Sequence, residues 1–167
     1  MRQQYPDPPA LAELASWEWA IAHAFDAPDT PPLTEQDLSV VAPEEWASLR
    51  LQLHPAAQVL HLRTNAPALF KTLSGDSEPP RPSAADRTQA WLIWRLALAP
   101  HYRSAGEDEA ALLGQLAAGM TFEQLCNALC NWHAEEDVPA RAALLLKGWV
   151  REELLIRADK SRPDSVR

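Results

Sequence analysis

The 167-residue sequence has little glycine and little cysteine, and it has no long apolar run. With only five glycines there is no Gly-rich loop to hold the phosphates of a nucleotide, so a nucleotide site is not expected. The two cysteines, four residues apart, give no disulfide framework and fit a reducing compartment. No stretch approaches the roughly 18 consecutive apolar residues of a membrane span, and residues 1–9 lack the apolar core of a signal peptide. We therefore expect a cytoplasmic protein that does not cross a membrane.

Catalytic signatures are missing as well. No His-Glu-x-x-His pattern occurs among the five histidines, and no Gly-x-Ser-x-Gly turn presents a serine nucleophile. His54 precedes Pro55 at a predicted break between two strands, where a histidine most often makes a structural hydrogen bond. The sequence therefore predicts a protein that is not an enzyme and that holds no cofactor of its own.

Basic charge is absent from the segment that resembles a helix-turn-helix. Residues 106–137 contain no lysine or arginine but seven acidic residues, which are Glu107, Asp108, Glu109, Glu123, Glu135, Glu136 and Asp137. A helix that reads DNA must neutralise phosphates and is usually basic. The whole chain has a net charge of −8 and no basic stripe or tail. The scaffold thus suggests nucleic-acid recognition, whereas the charge disfavours both DNA and anionic membrane as partners.

Apolar spacing predicts an α+β protein, with an N-terminal helical segment, a small antiparallel sheet and a winged-helix-like C-terminal part of three helices. A period of three and four residues indicates helices over 10–26, 107–118, 121–133 and 139–152, with shorter helices over 34–40, 43–48 and 65–73. Alternation indicates strands on both sides of His54 within 49–63, then over 89–95, 99–104 and 154–158, with helix as an alternative for 89–95. The predicted organisation is N-terminal helices and first strands over 1–74, a loop over 75–87, the winged-helix-like part over 88–160 and a tail over 161–167.

Several helix ends have their own signals. Thr34 and Asn65 are suited to cap short helices with their side chains. Gly119 is suited to the left-handed position that ends a helix, and Thr121 with Gln124 predicts a capping box at the start of the next one.

The first helix carries two tryptophans that cannot share one face. Trp17 and Trp19 point about 160–200° apart around a helix, so only one of them can face a single core. The apolar residues on the Trp17 side, expected to be buried, are Leu11, Leu14, Ile21 and Phe25. Trp19 then faces either a second covering layer or a partner protein, and Glu18 with His23 forms either a buried polar pair or part of that interface. We take Trp19, Glu18 and His23 as the candidate partner-binding residues.

A second aromatic cluster lies on the predicted strand over 89–95. Trp91 and Trp94 flank two aliphatic residues, so both faces of this strand are apolar. The strand is therefore either central and covered on both sides, or it lies beside a bound peptide. Because Arg95 and Arg103 bring basic charge to this sheet, we take Trp91, Trp94, Arg95 and Arg103 as candidate peptide-binding residues. An extended peptide would add to an open edge, for which the strand over 154–158 is a candidate.

Cys126, Cys130 and His133 share one face of the helix predicted over 121–133. A soft metal ion is one interpretation, although three ligands from one helix make an awkward tetrahedron. Core or half-buried thiols are the interpretation that we favour, and no metal site is expected.

Four segments resemble a known family: LAELASWEWAIAHAFDAPDTPPL, PEEWASLRLQLHP, WLIWR and LLGQLAAGMTFEQL. In this order they are similar to the bacterial HvfC/BufC-type proteins, which are catalogued as carrying a DNA-binding domain. The resemblance covers residues 10–158, but the helical region that precedes this part in typical members is largely missing here. It implies a heterodimer with a multinuclear-iron, TIM-barrel-type enzyme that modifies ribosomally made peptides, as in methanobactin biosynthesis. The iron is expected in that enzyme.

Three functions follow as hypotheses. The first is a non-catalytic adaptor that binds the iron enzyme and helps to recognise the leader of a precursor peptide. The second is a DNA-binding winged-helix regulator, and the third is a metal-binding or redox protein built on the two cysteines. We favour the adaptor because the predicted helix over 121–133 has no basic residue.

Overall fold

The computed structural model describes residues 8–73 and 78–157. It confirms a mixed α+β protein with two small antiparallel sheets. The helices are α1 (Pro8–Asp26), α2 (Glu35–Ser39), α3 (Ala66–Leu73), α4 (Glu107–Leu116), α5 (Phe122–Leu129) and α6 (Val138–Arg151), with a 3₁₀ turn at Pro43–Glu45. The strands are β1 (Arg50–Leu53), β2 (Gln58–Thr64), β3 (Ala84–Leu96), β4 (Ala99–Ala105), β5 (Met120–Thr121) and β6 (Leu155–Arg157). Within these ranges, no helix is both long enough and apolar enough to span a membrane.

Most predicted elements are present near their predicted bounds. The helix predicted over 43–48 is a 3₁₀ turn over Pro43–Glu45, strand β5 was not predicted, and two further elements differ in extent. Strand β3 begins at Ala84, within the predicted loop over 75–87, so the strand is longer than its apolar part suggests. Helix α5 ends at Leu129 and does not continue to His133, because the chain turns at Cys130. Residues 1–7 and 74–77, the predicted tail over 161–167 and the last residue of the strand predicted over 154–158 fall outside the described residues.

The chain forms two compact units that interleave along the sequence. The first unit contains Met1–Ala27 and Ala56–Ala110, and the second contains Pro28–Pro55 and Ala111–Arg167. The predicted segments 1–74 and 88–160 therefore each contribute to both units. The reason is strand pairing, since β1 pairs with β5 and β6, which lie far from it in sequence.

In the first unit, α1 packs against the antiparallel sheet β2–β3–β4. The fully buried side chains of this core are Trp17, Ala20, Ala24, Leu62, Ala66 and Ile93. Trp17 is at its centre, with its ring 5.0 Å from that of Tyr102, 5.4 Å from that of Trp91 and 6.3 Å from that of Phe70. Edge-to-face rings at such distances stabilise a core beyond the area that they bury.

The second unit contains the sheet β5–β1–β6 together with α2, α5 and α6. The order α4, β5, α5, α6, β6 matches a winged-helix-like part, but the central strand of the sheet is β1, which comes from upstream of these helices. Residues buried in this unit include Leu51, Leu125, Leu129, Ala142, Trp149 and Leu155. At the strand break after β1, the Nε2 atom of His54 lies 2.9 Å from the Thr30 carbonyl oxygen, so the predicted structural hydrogen bond is confirmed.

Three of the four predicted helix-end signals are confirmed. Thr34 and Thr121 each form a capping box, and Gly119 has a φ of 81°. The prediction for Asn65 is wrong, because its side chain bonds to Arg81 and Ser83 at 2.9 Å and leaves the helix end. An asparagine amide both donates and accepts, so it can pair with two backbone groups of a neighbouring segment.

Candidate functional site

The outer surface of α1 is the most prominent exposed feature of the first unit. Trp17 is completely buried, whereas the Trp19 side chain is 73% exposed, as the helical spacing predicts. No second layer of described residues covers Trp19. A tryptophan has a large apolar surface, so its exposure to water is energetically unfavourable.

Two residues that were predicted to join the buried side of α1 are exposed instead. Leu11 is 48% exposed and Phe25 is 56% exposed. At about 100° per residue they lie within roughly 120° of Trp19, on the same outward surface. The α1 face, as we call it, consists of Leu11, Ala15, Trp19, Ala22 and Phe25. Sequence reasoning missed it because the stripe contacting the sheet is made partly of the small residues Ala20 and Ala24.

The polar residues next to Trp19 are exposed too. Glu18 and His23 both lie at the surface, so the alternative of a buried polar pair is wrong. They are five residues apart, about 140° around the helix, and therefore point in different directions. Glu18 adds a negative charge within the α1 face, and His23 lies one turn after Trp19 at its border. A partner that covers Trp19 would thus meet both side chains.

Hydrogen bonds fix α1 rigidly to the rest of its unit. The Glu13 carboxylate accepts hydrogen bonds from the backbone N–H groups of Arg63 and Thr64 and from the Thr64 hydroxyl. At the other end, the Arg95 guanidinium donates to the carbonyls of Phe25 at 2.7 Å and Ala27 at 2.9 Å. Arg95 thereby satisfies backbone carbonyls at the end of a helix, which have no partner within it. The α1 face is therefore presented on a firmly held helix.

The predicted peptide-binding residues do not form one site. Trp91 faces α1, where its ring contacts that of Trp17, while Trp94 lies on the other face of β3 and is 6% exposed. Beside Trp94, the Arg103 guanidinium lies 6.0 Å from the ring centroid and makes two hydrogen bonds, of 2.7 and 2.9 Å, to the Glu109 carboxylate. Both arginines are thus engaged within the unit. The central part of β3 is covered on both sides, which was one of the two alternatives.

Strand β4 is one of the two edge strands of this sheet, the other being β2, since each has a neighbour on one side only among the described strands. A two-residue turn at Ala97 and Leu98, with φ values of 49° and 64°, joins β4 to β3. Counting alternate pairs from that turn places Pro100, Tyr102 and Ser104 at positions whose backbone groups face outward. Pro100 fits such a position because it has no N–H to donate. The edge therefore presents the N–H groups of Tyr102 and Ser104.

The strand that was proposed as a docking edge is less open. Strand β6 pairs with β1, in a different sheet from the one that contains Trp91 and Trp94. Its Leu155 carbonyl accepts a hydrogen bond of 2.7 Å from the Leu33 N–H. Part of this edge is thus already occupied by the segment before α2.

The two cysteines lie one turn apart at the end of α5. Cys126 is half-buried and Cys130 is exposed, and the Cys130 thiol lies 3.6 Å from the Cys126 carbonyl oxygen. Burial, and to a lesser extent the neighbouring Cys130, raises the pKa of the Cys126 thiol, so it is a poor nucleophile at neutral pH. His133 comes after the end of α5, so the three residues do not share one continuous helix as predicted. No cluster of three or more possible metal ligands occurs in the described parts of the chain.

Helix α6 carries a feature that the sequence reasoning missed. It contains Arg141, Lys147 and Arg151 and no acidic residue. Lys147 and Arg151 are exposed, as is Leu144, whose side chain is 63% exposed. In the winged-helix-like order this is the third helix, the one that enters the DNA groove in proteins of that shape. The spacing of three and four residues between Arg141, Leu144, Lys147 and Arg151 is visible in the sequence and could have indicated this surface.

An apolar groove of about 270 Å³ adjoins the start of the α1 face. Residues of α1 and α3, together with three prolines, line it: Ala10, Leu11, Leu14, Leu69, Leu73, Pro79, Pro80 and Pro82. Leu73 at its rim is 59% exposed. Apolar surface thus continues from the α1 face into a concave region of the same unit.

No protein-family model matches this chain, and no curated protein is significantly similar to it.

Proposed function

We propose that this chain is a non-catalytic adaptor whose α1 face binds a partner enzyme. The observation that carries the proposal is the exposure of Leu11, Trp19 and Phe25 on one side of a firmly held helix. Monomeric proteins rarely expose contiguous apolar patches of this kind without using them. Tryptophan is also among the residues that most often dominate the binding energy of an interface.

The rigidity of α1 favours tight binding. Association costs less when the contact residues are already ordered, because less conformational entropy is lost on binding. Glu13 and Arg95 hold the two ends of α1, and Gln58 donates a hydrogen bond to the Ala20 carbonyl between them. Trp19 has few rotatable bonds, so it loses little freedom when it is buried by a partner.

The nature of the partner comes from the family resemblance. It points to a multinuclear-iron, TIM-barrel-type enzyme that modifies a ribosomally made peptide in the cytoplasm, with this chain as the second subunit of a heterodimer. The iron belongs to the enzyme, and this chain contributes recognition. Exposed His23, at the border of the α1 face, is suited to the polar rim that surrounds the apolar centre of such interfaces, and exposed Glu18 adds a charge that the partner must pair.

We assign recognition of the leader peptide to the edge of β4. An extended peptide can add to an unpaired strand through backbone hydrogen bonds, with side-chain contacts supplying selectivity. The outward N–H groups of Tyr102 and Ser104 are suited to donate hydrogen bonds to such a strand. The edge of β6 is a weaker candidate because Leu33 already bonds to it. Arg95 and Arg103 are removed from this assignment, since both are engaged within the unit.

The adaptor role is tested by affinity capture from the native host. The tagged chain should retain an iron-containing enzyme at moderate salt, and Trp19→Ala should lose it. Trp132→Ala is the matched control, because Trp132 is also exposed, at 41%, but lies outside the α1 face. Equal retention by the two variants, or retention of no iron protein by the wild-type chain, would refute the proposal.

The edge assignment is tested by hydrogen exchange with the precursor peptide recovered from that complex. The amides of Tyr102 and Ser104 should become protected when the peptide binds. Ser104→Pro should abolish this protection while leaving the β3–β4 pairing intact, because that N–H faces outward. Binding of the peptide with unchanged exchange at both amides would exclude the β4 edge.

A DNA-binding regulator is the second candidate, and α6 is the observation that favours it. The exposed Lys147 and Arg151 of α6 are suited to phosphate contacts, in contrast to the acidic stretch before this helix, and Arg151 also lies 4.0 Å from a Glu35 carboxylate oxygen. A true binder would lose affinity steeply with salt, with log affinity falling roughly 0.9 per phosphate neutralised per log unit of salt. Lys147→Glu should then weaken DNA binding, whereas Trp19→Ala should not. Salt-independent or absent binding to duplex DNA would exclude this candidate.

A further inference from the structure

Cys126 and Cys130 line one pocket that the adaptor role does not use. Both cysteines are free, and both line an open pocket of about 420 Å³ in the second unit. The remaining lining residues are Phe122, Asn127, Glu135, Val138 and Pro139. The pocket is mainly apolar apart from the thiols, Asn127 and the Glu135 carboxyl. It therefore presents two soft sulfur atoms to a ligand that enters from solvent.

The geometry of the pair is suited to a bridging ion. Residues four apart on a helix are neighbours, and the later side chain leans back over the earlier turn. The Cys130 thiol does so here, as its 3.6 Å contact to the Cys126 carbonyl shows. A disulfide needs sulfurs at about 2.05 Å, which neighbouring turns of one helix rarely allow. A metal ion with two metal–sulfur bonds of about 2.3 Å, the length in zinc–thiolate sites, can hold two sulfur atoms as far as about 4.6 Å apart.

We propose that Cys126 and Cys130 form a two-thiolate site for a soft monovalent metal ion of the Cu(I) class. Thiolate ligands select soft ions. Structural zinc sites use a tetrahedron of four ligands, whereas no group of three or more possible metal ligands occurs among the described residues. A linear pair of thiolates satisfies Cu(I). On binding, two S–H bonds break, two S–Cu bonds form and two protons leave for solvent, while the copper remains in the +1 state.

Helix α5 fixes the positions of Cys126 and Cys130 relative to the pocket. The capping box of Thr121 and Gln124 fixes its first turn, and Leu125 and Leu129 are completely buried about 100° around the helix from the two cysteines. The two thiols consequently lie on the side of α5 that is left at the pocket. The apolar residues Phe122 and Val138 would shield the bound ion from water on one side.

The test is an anaerobic competition for Cu(I) held by the coloured chelator bicinchoninate. The full chain should withdraw one Cu(I) per chain, and X-ray absorption should report two sulfur neighbours. Cys126→Ser and Cys130→Ser should each weaken binding by more than the roughly 10–100-fold that loss of an outer-shell group costs. His133→Ala is the control and should bind as the wild type does. A thermal melt of each variant shows that it is folded.

Three results would overturn the site. In one, the double variant of both cysteines competes as well as the wild-type chain does. In another, one Cu(I) binds per two chains and the chain dimerises with it, which means that the thiols of different molecules bridge the ion. In the third, His133→Ala loses binding together with the cysteine variants, which requires a three-ligand site.

Discussion

Replacing the two tryptophans of α1 separately distinguishes the stabilising side of this helix from its binding side. Trp17→Ala removes a completely buried ring that contacts Tyr102, Trp91 and Phe70. Trp19→Ala removes a ring of the same chemistry, two residues away, that is 73% exposed. The two substitutions differ only in burial, so they test the orientation of the helix directly.

The expected magnitudes are far apart. Deleting a buried tryptophan typically costs roughly 3–5 kcal/mol, from lost transfer free energy and the cavity that remains. For a chain of this size, each kcal/mol lowers Tm by about 2–4 °C, which gives about 6–20 °C for Trp17→Ala. The surface substitution Trp19→Ala should change the free energy of unfolding by at most about 0.5 kcal/mol. Its effect should appear in partner affinity, where loss of a central tryptophan costs about 2 kcal/mol or more.

The assay is thermal unfolding of both purified variants, followed by circular dichroism, beside capture of the partner. Trp17→Phe serves as an additional control, because it keeps a ring and removes an indole N–H that has no hydrogen-bond partner among the described residues. It should therefore cost clearly less than Trp17→Ala. Equal losses of Tm for Trp17→Ala and Trp19→Ala would refute the orientation of α1, and with it the α1 face.

Three further predictions concern the stability of local structures. Leu98→Gly should raise the free energy of unfolding by about 0.5–1 kcal/mol in a urea titration, because Leu98 is 76% exposed and its positive φ disfavours a side chain. A lower free energy of unfolding in the variant would show that Leu98 is not strained. Arg95→Met should destabilise the fold by about 1–3 kcal/mol, because the hydrogen bonds to the end of α1 are lost, and it should leave peptide affinity unchanged. Weaker peptide binding with unchanged stability would instead support the predicted role of Arg95 in peptide binding. Hydrogen bonds from the Thr34 side chain and backbone, and then Arg157, lower the pKa of Asp37. Its carboxylate therefore stabilises the fold above its ordinary pKa, and this contribution disappears as pH falls through the lowered value. Thr34→Ala should move the pKa back toward the ordinary value in an NMR titration, and an unchanged pKa would contradict the capping box.

The local elements were predictable from the sequence because their signals are local. The periodicity around Trp17 is sufficient for α1, and Thr121 with Gln124 marks the start of α5 by a hydrogen-bonding pattern three residues long. Pairing of β1 with β5 and β6 was not predictable, since it joins residues about 70–105 positions apart whose alternation is compatible with many partners. The two interleaved units follow from that pairing, so their division could not be read along the chain.

The candidate site shows the same distinction between local and distant information. The exposure of Trp19 followed from its angle to Trp17, which is a property of one helix. The roles of Arg95 and Arg103 depend on distant partners. A guanidinium near a strand is compatible with a bound peptide, but in the fold Arg95 satisfies carbonyls at the end of α1 and Arg103 pairs with Glu109. Charge in a sequence therefore does not indicate availability for a ligand.

Availability is the criterion that connects the fold to the proposed adaptor. Some polar groups already have hydrogen-bond partners within the fold, among them Arg95, the Glu13 carboxylate and the Leu155 carbonyl. They stabilise the fold and have little hydrogen-bonding capacity left for a binding partner. The α1 face and the outward backbone of β4 are different, because an apolar ring in water and an unpaired strand edge both gain from being covered. They also belong to one unit, built on the same sheet. An adaptor that must bind an enzyme and a peptide needs two such surfaces, and the engaged residues between them hold both in a fixed geometry.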